Sequence, residues 1–415
     1  MNAPSPAPLP TERFVRPAVL PVLTQHLEEA AFYWLRRDAA QWSPVMNAEH
    51  VARFDQLLDA HLEGIRVAGA RALPLAQAAL ARWLTPDEAF VATYAVVGVP
   101  DAAALAEIET LLIANAELAR GAAAALLWRG PIASAALMDH WWQHSEPALR
   151  RAAIPAAMRH PAVQRDTLLQ YGLQDASALA RSRALRCIGE WGVQSYRAQL
   201  QAALADEELI CRAEAACSLA LLGHGEVLAD LLAEPANLAA LPMRVLAIYS
   251  LLSPEPIFAA MLQRCMDEPS CRRALIWSLA LRGDPGRLAL LSDWLVADGD
   301  GRLLAYAISH LTGMDLDLDN LWRPAPEEEG DVATADEGLL YPDVAAVQAW
   351  LARNQSRWIG LPRCIAGLPM DLSSMEHLLQ HGWQPQRQVA AIWLTAKGQN
   401  GLLARLAKPE LSYAR

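Results

Sequence analysis

Lysine is almost absent from this sequence: of its 35 basic residues, only Lys397 and Lys408 are lysines. Aromatic residues make up only 7 % of the chain, and β-branched residues are few beside the many alanines and leucines. Because strands favour β-branched and aromatic side chains, this shortage argues against a fold built on β-sheets. Alanine and leucine lose little entropy in a helix, so the composition predicts an all-α protein. With 53 % hydrophobic residues among 415, the chain can bury a large core.

The sequence is also short of positive charge, with 35 basic against 46 acidic residues and a net charge of -11. An acidic protein repels the phosphate backbones of DNA and RNA, so we predict no nucleic-acid partner. A basic protein is compatible with this charge, because opposite electric fields accelerate the encounter of two proteins. The expected partner is therefore another protein.

Long apolar runs and paired cysteines are missing as well. No stretch approaches eighteen uninterrupted apolar residues, which argues against a transmembrane helix and a membrane partner. The first residues, MNAPSPAPLPTERF, lack the apolar segment of a secretory signal. The cysteines form no CxxC pair and lie mainly in apolar helical patterns, which is typical of reduced, buried thiols: Cys187, Cys211, Cys217, Cys265, Cys271 and Cys364. We therefore expect a cytoplasmic protein.

The motifs of common catalytic sites are absent. The sequence contains no GxSxG motif, no P-loop and no GxGxxG in a strand-to-helix setting. Two histidine pairs have the i, i+4 spacing of one helix face, His140 with His144 and His377 with His381. Neither pair contains the glutamate of an HExxH motif, and the spacing suggests no third metal ligand. Structural or surface histidines are the expectation for both pairs.

Three aspartates, Asp315, Asp317 and Asp319, resemble the start of a calcium-binding loop. The pattern then fails, because Asn320 takes the place of the glycine at the sharp turn and Pro326 that of the bidentate glutamate. We predict no catalytic residue, no cofactor and no metal site in this chain.

A phrase of about thirty residues recurs along the middle of the sequence. Each copy has a charged or small residue, an Ala-rich apolar run, and then glycine or a substitute, often followed by Pro or Asp. The glycine-like positions are 30 to 32 residues apart: Gly98, Gly130, His160, Gly192, Gly223, Ser253, Gly283 and Gly313. Such a period predicts repeats of one supersecondary unit.

Each repeat has the pattern of two helices. The recurring phrase is the second helix, and its glycine suits the left-handed position that follows a helix. Turn residues precede it, such as Asp175-Ala176-Ser177 and Asp206-Glu207-Glu208, whose side chains can accept hydrogen bonds from the next helix. Since one such pair cannot bury its apolar face alone, the pairs are predicted to stack into an α-solenoid of roughly 8–10 helical hairpins.

Five segments follow from these patterns. We predict a flexible Pro-rich tail over 1–18, an N-terminal helical cap over 19–72 and repeats over 73–313. An acidic insertion follows over 314–343, and a further helical repeat and cap over 344–415. Within the cap, Asn47 is expected to begin a helix by capping it.

Arginines recur near the start of the second helices, including Arg150, Arg151, Arg181, Arg183 and Arg244. In stacked repeats such positions align along one face. We expect a ladder of hydrogen bonds between neighbouring repeats, and the alternative is a polar groove that receives a partner.

The acidic insertion contains ten carboxylates and one arginine, Arg323. This composition cannot bury enough apolar surface to order itself unaided, so an exposed loop is expected. Its acidic side chains are the predicted contacts to a basic partner: Glu327, Glu328, Glu329, Asp331, Asp336 and Glu337.

Four phrases resemble one particular family. They are HLEEAAFYWLRRDA (His26 to Ala39), ARFDQLLDAHLEGIRVAG (Ala52 to Gly69), SHLTGMDLD (Ser309 to Asp317) and GWQPQRQVAAIWL (Gly382 to Leu394). The family is an otherwise uncharacterised group of HEAT-like repeat proteins of proteobacteria, encoded near type VI secretion components. The likeness runs from about residue 19 to the end.

The resemblance implies a role linked to type VI secretion. The first hypothesis is an immunity protein that binds and blocks a co-encoded toxin, for which a basic nuclease would suit the charge. The second is an adaptor or chaperone that loads an effector. A third, an enzyme on a HEAT-like fold, has no motif in its favour.

Overall fold

The computed structural model describes residues 19–160, 164–232, 238–239, 241–297, 300–326 and 336–407. The predicted tail over 1–18 lies outside them. The N-terminal half of the described chain consists of helices α1 Leu20–Ala39, α2 Ala48–Ala68, α3 Leu73–Trp83, α4 Pro86–Val96, α5 Ala102–Ala114, α6 Ala119–Arg129, α7 Pro131–Trp142, α8 Pro147–Ala157, α9 Arg165–Leu173, α10 Ala178–Glu190, α11 Arg197–Ala203 and α12 Leu209–Leu221.

The second half continues, after a 3-10 segment at Gly225–Leu232, with α13 Met243–Leu252, α14 Glu255–Cys265, α15 Arg272–Arg282, α16 Leu288–Ala297, α17 Gly301–Thr312, β1 Trp322–Arg323, β2 Tyr341–Pro342, α18 Val344–Asn354, β3 Cys364–Ile365, β4 Leu368–Pro369, α19 Leu372–His381, α20 Gln384–Ala396 and α21 Leu402–Ala407. The strands form two antiparallel pairs, β1 with β2 and β3 with β4, of two residues each. The prediction of an all-α protein is confirmed.

The recurring glycines end the second helices, as the sequence predicts. Helices α4, α6, α10, α12, α15 and α17 are each followed within two residues by a glycine of positive φ, at Gly98, Gly130, Gly192, Gly223, Gly283 and Gly313. Glycine adopts this conformation without the steric penalty of a side chain, so the helix can stop and the chain can turn. At the two glycine-like positions that lack glycine, Ser253 follows helix α13 in an extended conformation, and α8 ends before His160.

The second helices stack in chain order. Each of α4, α6, α8, α10, α12, α13, α15 and α17 packs against the next one in that series. Their apolar residues form two core clusters, and α12 contributes to both, through Ala215 and Leu219 on one side and Ala216 and Cys217 on the other. All six cysteines are free and buried in these cores, as predicted.

The N-terminal cap is a pair of long helices, α1 and α2, which pack along one another. The Asn47 side chain accepts hydrogen bonds from the backbone N–H groups of Glu49 and His50, each at 3.0 Å. The predicted helix cap is therefore confirmed. Arg37 on α1 and Asp55 on α2 form a buried ion pair at 2.6 Å between the two helices.

The C-terminal segment does more than cap one end. Helix α20 contacts α12 and α13 in the middle of the stack and also the turn at Ala40–Trp42, which follows α1. The Gln388 side chain donates to the Gln41 carbonyl at 3.3 Å, and the Gln384 backbone N–H donates to the Met46 carbonyl at 2.7 Å. The sequence predicts a last repeat at the far end, whereas α20 joins the two ends of the chain.

A short segment before α19 crosses the ends of three second helices. The Arg363 guanidinium donates to the carbonyls of Leu251 at 2.9 Å and Arg282 at 2.7 Å. The backbone N–H of Cys364 donates to the Gly283 carbonyl at 2.7 Å, and that of Ala366 to the His310 carbonyl at 2.8 Å. Since the last carbonyls of a helix lack partners within it, this strap (residues 363–367) satisfies groups that would otherwise be orphaned.

Candidate functional site

Two of the six predicted partner contacts fall within the described residues. Asp336 is only 8 % exposed. Its carboxylate accepts two hydrogen bonds from the Arg273 guanidinium, at 2.5 and 3.0 Å. Glu337 is exposed. Asp336 therefore anchors the insertion to α15, and Glu337 is the one of the two that faces solvent. Glu327, Glu328, Glu329 and Asp331 lie outside the described residues.

The described ends of the insertion carry exposed apolar side chains. Leu318 is 86 % exposed and Trp322 is 40 % exposed. Asp317, Asp319 and Glu337 are exposed carboxylates in the same segment. We call these five residues the insertion surface. The sequence pattern did not single out Leu318 or Trp322, because the same segment also carries Leu316 and Leu321, which are buried.

Local hydrogen bonds explain the aspartate pattern that resembles a calcium loop. The Asp315 carboxylate accepts from the backbone N–H groups of Asp317 and Leu318, each at 3.0 Å. Asp319 accepts from the backbone N–H of Asp315 at 3.0 Å. These are turn-forming bonds of the kind aspartate makes to its own backbone. They fix the turn that displays Leu318.

The arginines at the start of the second helices form a ladder between repeats, as expected. The Arg150 guanidinium binds both Asp175 oxygens, at 2.5 and 2.7 Å, and Arg181 binds both Asp206 oxygens, at 2.9 and 3.1 Å. Each of these arginines also donates to two backbone carbonyls in the turn before its own helix. Arg212 repeats the carbonyl contacts one unit later. Bidentate pairs of this kind are among the stronger charged hydrogen bonds.

A second set of arginines lines a cavity of about 510 Å³ on the inner side of the stack. Its walls come from the second helices α6, α8, α10, α12 and α13, from the end of α1, and from α20 and α21. These arginines are different from those of the ladder, and the alternative of a groove that receives a partner stays a prediction. The cavity arginines are Arg37, Arg120, Arg151, Arg183, Arg186 and Arg244.

Three carboxylates in the cavity wall are each paired with an arginine. Asp38 binds Arg120. Glu190 binds Arg186 at 2.6 Å, and Glu214 binds Arg244 at 2.8 Å. Burial by itself would raise the pKa of Glu190, but Arg186, Arg244 and Arg183 together lower it to about 2. Glu190 is therefore ionised at any physiological pH.

Arg183 and Arg151 have no such partner. Among the described residues Arg183 makes no hydrogen bond, and Arg151 donates only to the Ala116 carbonyl, at 3.2 Å. Burial, and then the charge of Arg186, lowers the pKa of Arg183. Arg244 also has a buried Nη2 atom without an acceptor. Arg151 and Arg183 are themselves only half-buried, so solvent can reach their guanidinium groups.

The structure gives His140 on α7 and His144, in the turn after it, a third neighbour that the spacing did not suggest. Glu109 on α5 lies 3.0 Å from His140 Nε2, and ligand atoms of Glu109, His140 and His144 lie within 4.8 Å of one another. The Nδ1 atom of His144 accepts a hydrogen bond from the Glu146 backbone N–H at 3.0 Å, which places the proton of a neutral ring on Nε2. A metal ion would have to displace that bond or that proton.

No model of a protein family matches the chain, no curated protein matches it, and no solved structure matches it. The link to type VI secretion therefore stays a prediction from the sequence. Among the described residues, no single helix is long and apolar enough to cross a membrane. One pair, Ala102–Ala114 with Ala116–Arg129, meets the requirement only when joined, and it is bent by 113° at the break.

Proposed function

We propose that this chain is a protein-binding scaffold whose insertion surface takes a positively charged protein. Following the resemblance, the proposed partner is a co-encoded type VI toxin, which the chain binds and blocks in the cytoplasm. The observation that supports this proposal is that one insertion exposes Leu318 and Trp322 together with three carboxylates. Large apolar side chains surrounded by polar groups are the usual anchors of protein interfaces.

The charge distribution favours a basic partner. Ladder arginines such as Arg150 and Arg181 are bound to internal carboxylates, and Arg273 is bound to Asp336. Among the described residues no ion pair neutralises Asp317, Asp319 or Glu337 on the insertion surface. Their field attracts a positively charged protein and repels an acidic one.

Removing the apolar anchors tests the proposal. We expect Trp322→Ser to weaken binding of the purified chain to the toxin encoded beside it by roughly thirtyfold, because a buried aromatic anchor contributes about 2 kcal/mol. Leu318→Ser should weaken binding in the same direction. The matched control is Val67→Ser on α2, which removes a side chain that is 74 % exposed at a distant site. Equal affinity in all three variants would reject the insertion surface as the contact.

Charge reversal separates a steered electrostatic contact from a purely apolar one. The triple variant Asp317→Lys, Asp319→Lys, Glu337→Lys should slow association more at low than at high ionic strength, since salt screens exposed charges. Deleting the gene distinguishes the roles. An immunity protein leaves its cells sensitive to the toxin when lost, whereas an adaptor abolishes export of an effector without poisoning the producer.

A further inference from the structure

Glu109 on α5 is a largely buried carboxylate whose polar partners come from the next repeat. Its side chain is only 12 % exposed. The Oε1 atom accepts a hydrogen bond from Trp141 Nε1 at 2.7 Å and lies 3.0 Å from His140 Nε2. Among the described residues, no arginine or lysine forms an ion pair with Glu109. Because a buried carboxylate is unfavourable unless a positive charge is paired with it, this environment favours a cation.

Two imidazole rings lie beside this carboxylate. His140 is exposed near the end of α7, and His144 follows in the turn after the helix. Their ring centroids are 5.4 Å apart. Ligand atoms of Glu109, His140 and His144 lie within 4.8 Å of one another. The three side chains therefore converge on one point from two helices and a turn.

The separations are close to those of a metal centre. With bonds of about 2.0–2.1 Å, two ligand atoms of a tetrahedral zinc ion are about 3.3 Å apart. The 3.0 Å between Glu109 Oε1 and His140 Nε2 is already near that value. His144 lies outside the helix, so rotation of its side chain can bring the third ligand atom to the same separation.

The cost of binding is one hydrogen bond in the turn. Whichever ring nitrogen of His144 binds the ion, its Nδ1 atom can no longer accept from the Glu146 backbone N–H. An Nδ1 bound to the metal has no free lone pair, and an Nε2 bound to the metal leaves the proton on Nδ1. Glu146 is half-buried, so water can replace the lost acceptor.

We propose that Glu109, His140 and His144 bind one zinc ion, which fastens α5 to the end of α7. Imidazole and carboxylate are zinc ligands, and three of them leave the fourth tetrahedral position to water. The Trp141 N–H holds the carboxylate in place, as outer-shell donors do in metal sites. The spacing of the histidines gave only two ligands, and the third comes from the preceding repeat. This site goes beyond the proposed partner binding.

Calorimetric titration of the chelator-treated, untagged full-length protein with Zn²⁺ tests the proposal. The wild type should bind one ion at micromolar concentration. Glu109→Gln keeps an oxygen acceptor for Trp141 but removes the charged ligand, and it should weaken binding by roughly a hundredfold. Even outer-shell partners of a metal contribute about 10–100-fold to its affinity. If the wild type binds no zinc at this concentration, or if Glu109→Gln binds as tightly, the proposal is wrong.

His140→Ala gives a second variant that changes an exposed side chain. It should lose zinc affinity to a similar extent, so the test holds even if Glu109→Gln destabilises the fold. Zinc should raise the melting temperature of the wild type and not that of His140→Ala. An equal rise in both proteins would place the bound ion elsewhere and overturn the assignment.

The second histidine pair provides the matched control. His377 and His381 on α19 have the same spacing, with ring centroids 5.0 Å apart. Among the described residues, no third ligand completes a metal-binding group around them. The double variant His377→Ala, His381→Ala should therefore bind zinc as the wild type does. If it loses as much affinity as His140→Ala, histidine spacing alone explains the binding and Glu109 has no part in it.

The two proposals fail separately. Trp322→Ser should bind zinc as the wild type does, and Glu109→Gln should bind the toxin as the wild type does. Loss of zinc binding in Trp322→Ser would contradict a metal site that is separate from the insertion surface.

Discussion

At the scale of single residues, His310 is a buried polar side chain whose two ring nitrogens are both unsatisfied among the described residues. It lies on α17 and is 4 % exposed. Its ring packs edge-on against Trp277, with the centroids 6.3 Å apart. Burial lowers the pKa of His310 to about 3. The imidazole is therefore neutral in the folded protein at any pH above that value.

This histidine should make the fold sensitive to acid. The unfolded chain protonates His310 below its ordinary pKa of about 6.5, whereas the folded chain does not until about pH 3. In that window the unfolded state binds more protons, so the free energy of unfolding falls as the pH falls. His310→Leu removes the group that takes up this proton. The variant should reduce the pH dependence of the free energy of unfolding by up to about 1.4 kcal/mol per pH unit. Urea unfolding at pH 7 and pH 5 measures the difference.

The control for His310 is an exposed histidine. His381→Leu, at the end of α19, should keep the pH dependence of the wild type, because His381 is solvent-exposed. A parallel slope for His310→Leu and the wild type would show that His310 does not control the acid response.

At the scale of elements, the strap over the helix ends leaves no room for a side chain at two of the recurring glycines. A Cβ atom on Gly313 would lie 2.5 Å from the Ala366 carbonyl oxygen, and one on Gly283 would lie 2.8 Å from that of Cys364. At Gly223, by contrast, a Cβ atom would meet nothing within 4 Å. All three glycines have positive φ. The three glycines therefore share the need for a positive φ. Only Gly283 and Gly313 also lie too close to the strap to accept a side chain.

Alanine substitutions separate these two requirements. Gly223→Ala should lower the free energy of unfolding by about 1–2 kcal/mol, the cost of a left-handed conformation with a side chain. Gly313→Ala should cost a further 1–3 kcal/mol or so, because it also forces the strap away from α17. Chemical denaturation of both variants gives the comparison. Equal losses would mean that the strap yields freely and does not constrain the helix end.

At the scale of the whole molecule, the C-terminal helices make the stack a closed arrangement. In an open array each repeat contacts only its neighbours, and damage at one end stays local. Here Val389, Ala390 and Ile392 of α20 are fully buried in the same core cluster as residues of α13. Asn47 and Trp383 form a β-bridge between the two ends of the chain. Stability at the N-terminus should therefore depend on the C-terminus.

Hydrogen exchange tests this dependence. Removing residues 383–415 should increase amide exchange in α1 and at Ala40–Trp42, although these lie more than 340 residues away in the sequence. Gln388→Ala, which removes one hydrogen bond to Gln41, should increase exchange locally at that turn while the protein stays folded. Unchanged exchange in α1 of a folded truncated protein would show that the array is open.

The sequence determined the helices and their spacing. Helix propensity, the alternation of apolar residues and the conformational freedom of glycine act over a few residues, so the 30- to 32-residue period placed the ends of the second helices correctly. The cap at Asn47 and the ladder of Arg150 and Arg181 follow from the same local patterns repeated in register. Each of these features needs only a residue and its neighbours, or its counterpart one repeat away.

Only the tertiary structure determined which residues from distant parts of the sequence contact one another. The contacts of α20 with Gln41, the strap on α17 and the arginines of the inner cavity join residues separated by tens to hundreds of positions. The sequence placed Asp336 among the exposed partner contacts, whereas the fold buries it against Arg273. A repeat sequence specifies how one unit packs on the next, but the small rotation added at each step determines which distant surfaces meet.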